Sequence, residues 1–467
     1  MKKFYIRNFM EKRLKLQQMP GHLFITLTII TGLTACTATN NRVTPETALQ
    51  SYLHNSDRTF SWELKERFET DGITIAVLRL TSQEWQGITW THQLTVISPP
   101  EPVSDGALLF INGGSNKNGE PNWKGKDDGL IKMMAMTGSA NKAVVALLSQ
   151  VPNQPLFNDL DEDALIAFTL QNYKNDGDFT WPLLFAMTKS AVRAMDAVQQ
   201  YSRKELKHKI KRFVVSGASK RGWTTWLAAS QDQRIVAIAP MVIDVLNMPV
   251  NIPYQKEVWG DYSAQIEDYV KLGIAQEMGS PEGKDLVAMI DPYSYREKLI
   301  MPKMIIMGTN DEYWPVDAVK NYFYDIPGEN YIHYEPNAGH GMGDGTGVLQ
   351  TLSAFLNITL NNLQHPACDW QVSYDTVKTG LQIIASESLK KVTLWKCDSP
   401  DHDFRDNKFV DSSIEFSDPA GIKLEVAHPD SGFRAFYVEL TYPHPVAGTY
   451  SKSTRMFVAG NGKLFLN

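Results

Sequence analysis

The sequence predicts an α/β protein: a mostly parallel sheet with helices on both faces, followed by a small C-terminal β-sandwich. Three observations predict it. Short, continuous apolar runs recur up to Pro366, amphipathic segments separate them, and beyond Pro366 the chain turns to brief strand-like runs broken by Gly, Pro, Asp and Ser. A run that is apolar at every position is buried on both faces, as a parallel strand under two helix layers is.

Residues 74–80 and 92–98 read as the first strands. After the turn Pro99-Pro100-Glu101-Pro102, apolar runs at 107–111, 143–148, 212–215, 235–243, 303–307 and 331–334 supply the parallel strands. The clearest helix spans 181–201, where Leu184, Phe185, Thr188, Val192, Met195 and Val198 fall near i, i+3, i+4 and i+7 spacing. Residues 247–292 form a longer insertion, rich in Tyr, Gln and Glu, with a helix over 263–278. Such an insertion is either a lid over a catalytic edge or a structural connection. Strand-like runs at 389–395, 413–416, 422–426, 433–442 and 454–458 make up the sandwich. The expected division is a polar linker at 36–57, an α/β unit at 58–366 and a β unit at 367–467.

With 43% hydrophobic and 21% charged residues, the chain can build a core large enough to hold a buried site. Residues 1–35 stand apart: they carry six Lys and Arg against one Glu, and a short apolar run ends in Leu33-Thr34-Ala35-Cys36. That pattern reads as a signal peptide, and its end resembles a bacterial lipobox with Cys36 as the lipidated first residue of the mature chain. The alternatives are an uncleaved anchor and a plain secretory signal. The lipid anchor implies attachment to a membrane of the cell envelope, and Thr37, by resemblance to lipoprotein sorting, favours the outer membrane. Without residues 1–35, which carry +6 and −1, the formal charge moves from −6 to −11. So acidic a chain is a poor partner for nucleic acid. In an oxidising compartment the remaining cysteines, Cys368 and Cys397, could pair, which adds roughly 3–4 kcal/mol; two buried thiols are the alternative. No Cys/His spacing resembles a zinc site and no His-Glu-x-x-His occurs, so neither metal nor cofactor is expected. Oligomeric state leaves no signature in the sequence.

The chemistry concentrates in Gly217-Ala218-Ser219-Lys220-Arg221-Gly222-Trp223, which follows an apolar strand and opens a helical pattern. A serine on a sharp strand-to-helix turn between small residues is the setting of a hydrolase nucleophile, here with the second glycine one residue late. Downstream, strand 303–307 leads into Gly308-Thr309-Asn310-Asp311, and strand 331–334 leads into Asn337-Ala338-Gly339-His340-Gly341. Ser, acid and His in that order, each at the end of its own strand, is the arrangement of an α/β-hydrolase. Ser219 is therefore the expected nucleophile, His340 the base and Asp311 the acid, with Asp244 at the end of the preceding strand as the rival acid. Asn112-Gly113-Gly114 ends an early strand, so the amides of Gly113 or Gly114 and of Lys220 are the oxyanion-hole candidates. Arg221 and Trp223 are candidate substrate contacts. Gly343-Asp344-Gly345-Thr346-Gly347 lacks the Lys-Ser/Thr of a phosphate loop and reads as the start of the last helix.

Thr81-Ser82-Gln83-Glu84-Trp85, Trp90-Thr91-His92, Asn112-Gly113-Gly114, the Ser219 turn, Gly308-Thr309-Asn310-Asp311-Glu312 and Asp403-Phe404-Arg405 together resemble the PhoPQ-activated pathogenicity-related proteins, a family that includes autocrine proliferation repressors. The resemblance runs from about Thr44 to Val458. It implies an α/β-hydrolase-like core with a C-terminal β extension, in secreted or envelope proteins linked to virulence, and it implies no substrate. Over a few residues the Ser219 turn is also similar to the Gly-Cys-Ser-Arg-x-Gly turn of glucuronoyl esterases. That similarity implies that Lys220 or Arg221 favours an anionic substrate, with salt bridging as the alternative. The expected activity is hydrolysis of a small-molecule or peptide ester or amide, an ester before a peptide because peptidases of this fold usually carry a large additional domain. A non-catalytic binding or signalling protein on the same scaffold is the competing reading.

Overall fold

The computed structural model describes residues 2–3 and 42–466. Cys36 and the signal-like segment around it lie outside the described residues. The strands of the α/β part are β1 (Ser61–Thr70), β2 (Ile73–Trp85), β3 (Ile88–Ser98), β4 (Gly106–Ile111), β5 (Val144–Leu148), β6 (Arg212–Ala218), β7 (Ile235–Met241), β8 (Lys303–Gly308) and β9 (Asn330–Glu335). They lie in the order β1-β2-β3-β5-β4-β6-β7-β8-β9. From β5 to β9 all neighbours are parallel, while β1, β2 and β3 run antiparallel to one another and β3 is antiparallel to β5. This crossing order, with helices on both faces, is that of the α/β-hydrolases.

The apolar runs are continuous because alternate residues enter two separate cores. Ala107, Leu109 and Ile111 of β4, Phe213 and Val215 of β6, and Ile305 and Met307 of β8 face one core, which is closed by α3 (Glu162–Asp176), α4 (Leu183–Tyr201) and α5 (Lys220–Ala229). Leu108, Val214, Met304 and Ile306 face the other, closed by α2 (Gly129–Asn141) and α10 (Thr346–Leu360). Burying both faces of a strand removes every side chain from water, worth about 1.5–3 kcal/mol for each large apolar residue.

The stretch expected to be linker contains α1 (Pro45–Leu53), whose Ala48, Leu49 and Tyr52 are buried, with the Tyr52 hydroxyl donating to Gln83 Oε1 at 2.7 Å. The insertion after β7 holds α6 (Met248–Trp259), α7 (Glu267–Lys271), α8 (Ile274–Glu277) and α9 (Lys284–Ile290). The expected single helix over 263–278 is broken because Gly273 takes φ 72 between α7 and α8.

The C-terminal strands form two layers. β10 (Cys368–Tyr374), β11 (Lys378–Ala385) and β14 (Ile422–Ala427) make one sheet, extended beyond β10 by a two-residue strand, Lys2–Lys3. β12 (Lys391–Ser399), β13 (Val410–Ser413), β15 (Phe433–Pro443) and β16 (Thr449–Ser453) make the other, with β17 (Phe457–Gly460) pairing β15 and β18 (Lys463–Phe465) pairing β17. Leu381, Ile383 and Leu424 of the first layer pack against Leu394, Phe436 and Val438 of the second. The second layer continues the central sheet, since β16 pairs antiparallel with β9 through Ser453 and Ile332. That pairing covers an edge which a free β9 would expose.

Cys368 and Cys397 are both free thiols, which corrects the expected disulfide. The reason is their placement in different layers: Cys368 opens β10 and packs against the sandwich core, whereas Cys397 in β12 points into the core of the α/β part beside Phe404 and Tyr437. Burial pushes each thiol up to about 12, so neither is a reactive thiolate at neutral pH. Among the described residues no helix is long and apolar enough to cross a membrane.

Candidate functional site at the strand ends

Ser219 is the single residue between β6 and α5, and its backbone sits at φ 57, ψ −127. That conformation costs a non-glycine residue about 1–3 kcal/mol and has to be held by its surroundings. The Ser219 amide donates to the Met241 carbonyl at 2.9 Å, and the Ser219 carbonyl accepts from Trp223 N at 2.9 Å. A Cβ on Gly217 would lie 2.8 Å from the Arg221 carbonyl, and one on Gly222 would lie 2.7 Å from Ile243 Cγ2. The late glycine is thus the point where α5 crosses the end of β7, which explains its register.

Asp311 follows β8 and His340 follows β9. His340 Nδ1 lies 3.0 Å from each carboxylate oxygen of Asp311. Further contacts fix the pair: Tyr313 N donates to Asp311 Oδ1 at 2.9 Å, His340 N donates to Glu312 Oε2 at 2.9 Å, and the Tyr313 ring lies over the imidazole at 4.1 Å. The far ring nitrogen, His340 Nε2, is buried and has no hydrogen-bond partner among the described residues. Gly308 is required because a Cβ there would strike the Ala338 carbonyl, where the two loops cross.

The rival acid, Asp244, does not partner the imidazole. Burial pushes its carboxyl up to about 7; the Tyr322 hydroxyl opposes that shift and the charges of Asp311 and Asp317 add to it. Its Oδ1 is buried without a hydrogen-bond partner among the described residues.

Gly113 and Gly114 turn away from the end of β4. The Gly113 carbonyl accepts from Gln150 N at 2.8 Å and the Gly114 carbonyl from Gln154 Nε2 at 3.2 Å. Because a trans peptide sets N–H opposite C=O, the Gly114 amide is directed away from Gln150. The Lys220 amide lies in the first turn of α5, where an N–H has no intrahelical acceptor.

The side chains of Lys220 and Arg221 are not free for an anionic substrate. Lys220 Nζ lies 2.8 Å from Asp163 Oδ2 and 3.3 Å from Glu162 Oε2. Arg221 grips Glu162 in a fork, Nη1 to Oε2 at 2.8 Å and Nη2 to Oε1 at 2.6 Å, and its Nε donates to the Val151 carbonyl at 2.5 Å. Burial pulls Glu162 upward, but Arg221 and Lys220 outweigh it and hold the carboxylate down at about 2. The guanidinium also occupies the space where a Cβ of Gly113 would stand, 2.6 Å from Nη2. Arg221 therefore ties the Ser219 turn to the Gly113 turn. Glu162 and Asp163 were not anticipated, although an acidic run before a helix is a legible source of counter-charge. Trp223, expected at the substrate, faces away: its indole N–H donates to the Ile290 carbonyl at 2.6 Å, and the ring packs in a separate small apolar void with Leu170 and Met248.

The Asp311 loop is fastened from two sides. Asn310 Nδ2 donates to the carbonyls of Phe404, Arg405 and Asn407 at 2.9, 3.1 and 2.7 Å, while its Oδ1 accepts from the Thr309 hydroxyl at 2.8 Å. Asn337, ahead of His340, exchanges two bonds with Phe409, at 3.1 and 2.7 Å. From the insertion, Ser263 Oγ donates to the Glu312 carbonyl at 2.7 Å and Gln255 Nε2 to the Tyr313 carbonyl at 3.0 Å. The insertion buttresses this loop, and none of its residues lines the larger cleft.

That cleft, of about 680 Å³, is lined by Ser219, Gly113, Gly114 and Arg221, and by the Gly341–Gly345 loop that leads into α10. Gly345, at φ 71, is the N-cap of α10, and Asp344 before it accepts from Thr346 N at 2.8 Å, so the loop does open the last helix. Among the described residues no group of three His, Cys, Asp or Glu is placed to hold a metal ion.

A strained serine, a carboxylate–imidazole pair and a Gly-Gly turn at the C-terminal ends of parallel strands define the α/β-hydrolase class. The chain belongs to the PhoPQ-activated pathogenicity-related protein family, whose profile matches residues 49–405. It is 30% identical over 432 residues to autocrine proliferation repressor protein A of Dictyostelium discoideum, covering 85% of this chain and 86% of that protein. Similar solved structures include acetyl xylan esterase 1 from Thermoanaerobacterium sp. JW/SL YS485, with TM-score 0.45, 16% identity and coverage of 65% of this chain and 89% of that one. A glucuronoyl esterase from Solibacter usitatus has TM-score 0.33 and 12% identity, covering 56% of this chain and 73% of that one.

Asn310→Ala removes the only donor that the fork of three carbonyls shares through this side chain. The expected loss is about 1–3 kcal/mol of stability, read from denaturant unfolding. A change within 0.3 kcal/mol would show that the C-terminal loop is held by other contacts.

Proposed function

We propose that the protein is a serine hydrolase acting on carboxylic esters through an acyl-Ser219 intermediate. The observation that carries this reading is the Asp311–His340 pair at 3.0 Å, set at the strand ends that also present the strained Ser219 turn. His340 Nε2 takes the Ser219 proton as Oγ bonds to the acyl carbon, and the carbonyl π pair moves onto oxygen. The amides of Gly113 or Gly114 and of Lys220 receive that oxyanion. As the pair returns, the C–O bond to the alcohol breaks and the imidazolium protonates the leaving alkoxide. Water, deprotonated by the same imidazole, then releases the acid and restores Ser219. Asp311 holds the imidazole tautomer whose Nδ1 is protonated.

The two acids separate by mutation. Asp311→Asn is expected to lower kcat for p-nitrophenyl butyrate by roughly 10⁴-fold through the wrong imidazole tautomer, whereas Asp244→Asn stays within about tenfold. The reverse ranking would transfer the acid's role to Asp244. Equal, Ser219-independent rates in both would remove the enzyme reading.

The signal-like N-terminus supports placing this activity in the cell envelope, lipid-anchored through Cys36 in the outer membrane. Cys36→Ser is expected to shift the full-length protein from the membrane to the soluble fraction on cell fractionation. Unchanged membrane partition would refute lipidation at Cys36.

A further inference from the structure

The cleft at Ser219 has two unlike sides. On one stand Leu130, Met133 and Met134 of α2 and Val348, Leu349 and Leu352 of α10, with Phe110, Leu147 and Met241 from the strand ends beneath them. On the other stand Ser115, Asn122, Lys124, Gln150 and Glu162. The carboxylates at the lining are already engaged: Glu162 by Arg221 and Lys220, Asp128 as the cap of α2 through Leu130 N at 3.0 Å and Ile131 N at 3.1 Å, and Asp344 by Thr346 N at 2.8 Å. Arg221 is engaged by Glu162. Lys124 is exposed, and its backbone is held to the polar side by Gln93, with Lys124 N donating to Gln93 Oε1 at 2.7 Å and Gln93 Nε2 donating to the Lys124 carbonyl at 2.8 Å.

Resting on the reading of Ser219 as nucleophile, we propose that the enzyme takes esters of uncharged aliphatic acids longer than acetate, with the chain seated between α2 and α10 and a polar alcohol portion on the Ser115–Gln150 side. An aliphatic chain gains on this wall because its methylenes leave water against Leu and Met side chains, and methionine adapts to chains of different shape. A carboxylate-ended chain loses there, because the wall offers no counter-charge and desolvation is not repaid. With Lys220 and Arg221 paired to Glu162 and Asp163, the basic sequence beside the serine offers an anionic chain no free cation. The cleft volume lies within the range of small-molecule sites, so the acyl and alcohol parts of one small ester fit together.

The test is the ratio of kcat/KM for p-nitrophenyl hexanoate to that for the acetate, in the full-length protein and two wall variants. The wild-type rate constant should rise roughly fourfold per methylene over the first additions, equivalent to about 0.8 kcal/mol each. Leu349→Trp and Met133→Trp, at partly exposed and exposed positions that tolerate a larger ring, should each lower the ratio tenfold or more. A hemiadipate ester, which carries the same chain with a carboxylate end, should fall at least tenfold below the hexanoate. Acetate preferred by the wild type, or a ratio unmoved in both variants, overturns the acyl-chain assignment while leaving the nucleophile in place. Hydrolysis of no ester above the Ser219→Ala background overturns the hydrolase reading itself.

Discussion

The whole site hangs on one backbone conformation, Ser219 at φ 57, ψ −127. A serine takes it only where the strand before and the helix after are held by packing, and both are: β6 lies inside the parallel sheet and α5 is buried along its length. The neighbouring glycines are contact points, Gly217 against the Arg221 backbone and Gly222 against the end of β7. Strain of about 1–3 kcal/mol is small beside the apolar burial of two cores, so the sheet sustains it. The same turn reaches the rest of the cleft through Arg221, whose guanidinium lies under Gly113, holds the Val151 carbonyl and is clasped by Glu162. Charge beside the serine here serves geometry.

The C-terminal strands are part of this arrangement as well as a sandwich. β16 extends the central sheet past β9, and Asn310 and Asn337 stitch the loops of Asp311 and His340 to Phe404–Phe409. The insertion holds the opposite side of the Asp311 loop through Ser263 and Gln255. An acid and a base that come from different strand ends must be kept within hydrogen-bond reach of each other, and two flanking segments restrict the loop that carries the acid.

The central strands, the order of Ser219, Asp311 and His340, and the start of α10 were legible because each depends on local pattern: continuous apolarity, a small-residue turn, a glycine before the helix. The remainder depends on contacts between distant segments. Nothing near Arg221 in sequence reveals Glu162, and nothing near Trp223 reveals that its indole reaches Ile290 on the far side of α5. β1 is hard to read because its apolar residues are only Trp62, Leu64 and Phe68, and a bulge between Leu64 and Glu66 breaks their alternation. Cys368 and Cys397 looked pairable by number and compartment, but pairing is decided by which layer each strand joins. The family match agrees with the resemblance carried by the Ser219 and Asp311 motifs, whereas the choice of Asp311 over Asp244 rests on the hydrogen bonds to His340 alone.

The measurement that bears most directly on the central claim is peptide mapping by mass spectrometry after reaction of the folded protein with a fluorophosphonate. The expected adduct is one phosphonyl group on Ser219 Oγ, formed in the native protein and lost after denaturation before labelling. A folded protein that stays unmodified, or that carries the group on another residue, would contradict the assignment of Ser219 as nucleophile.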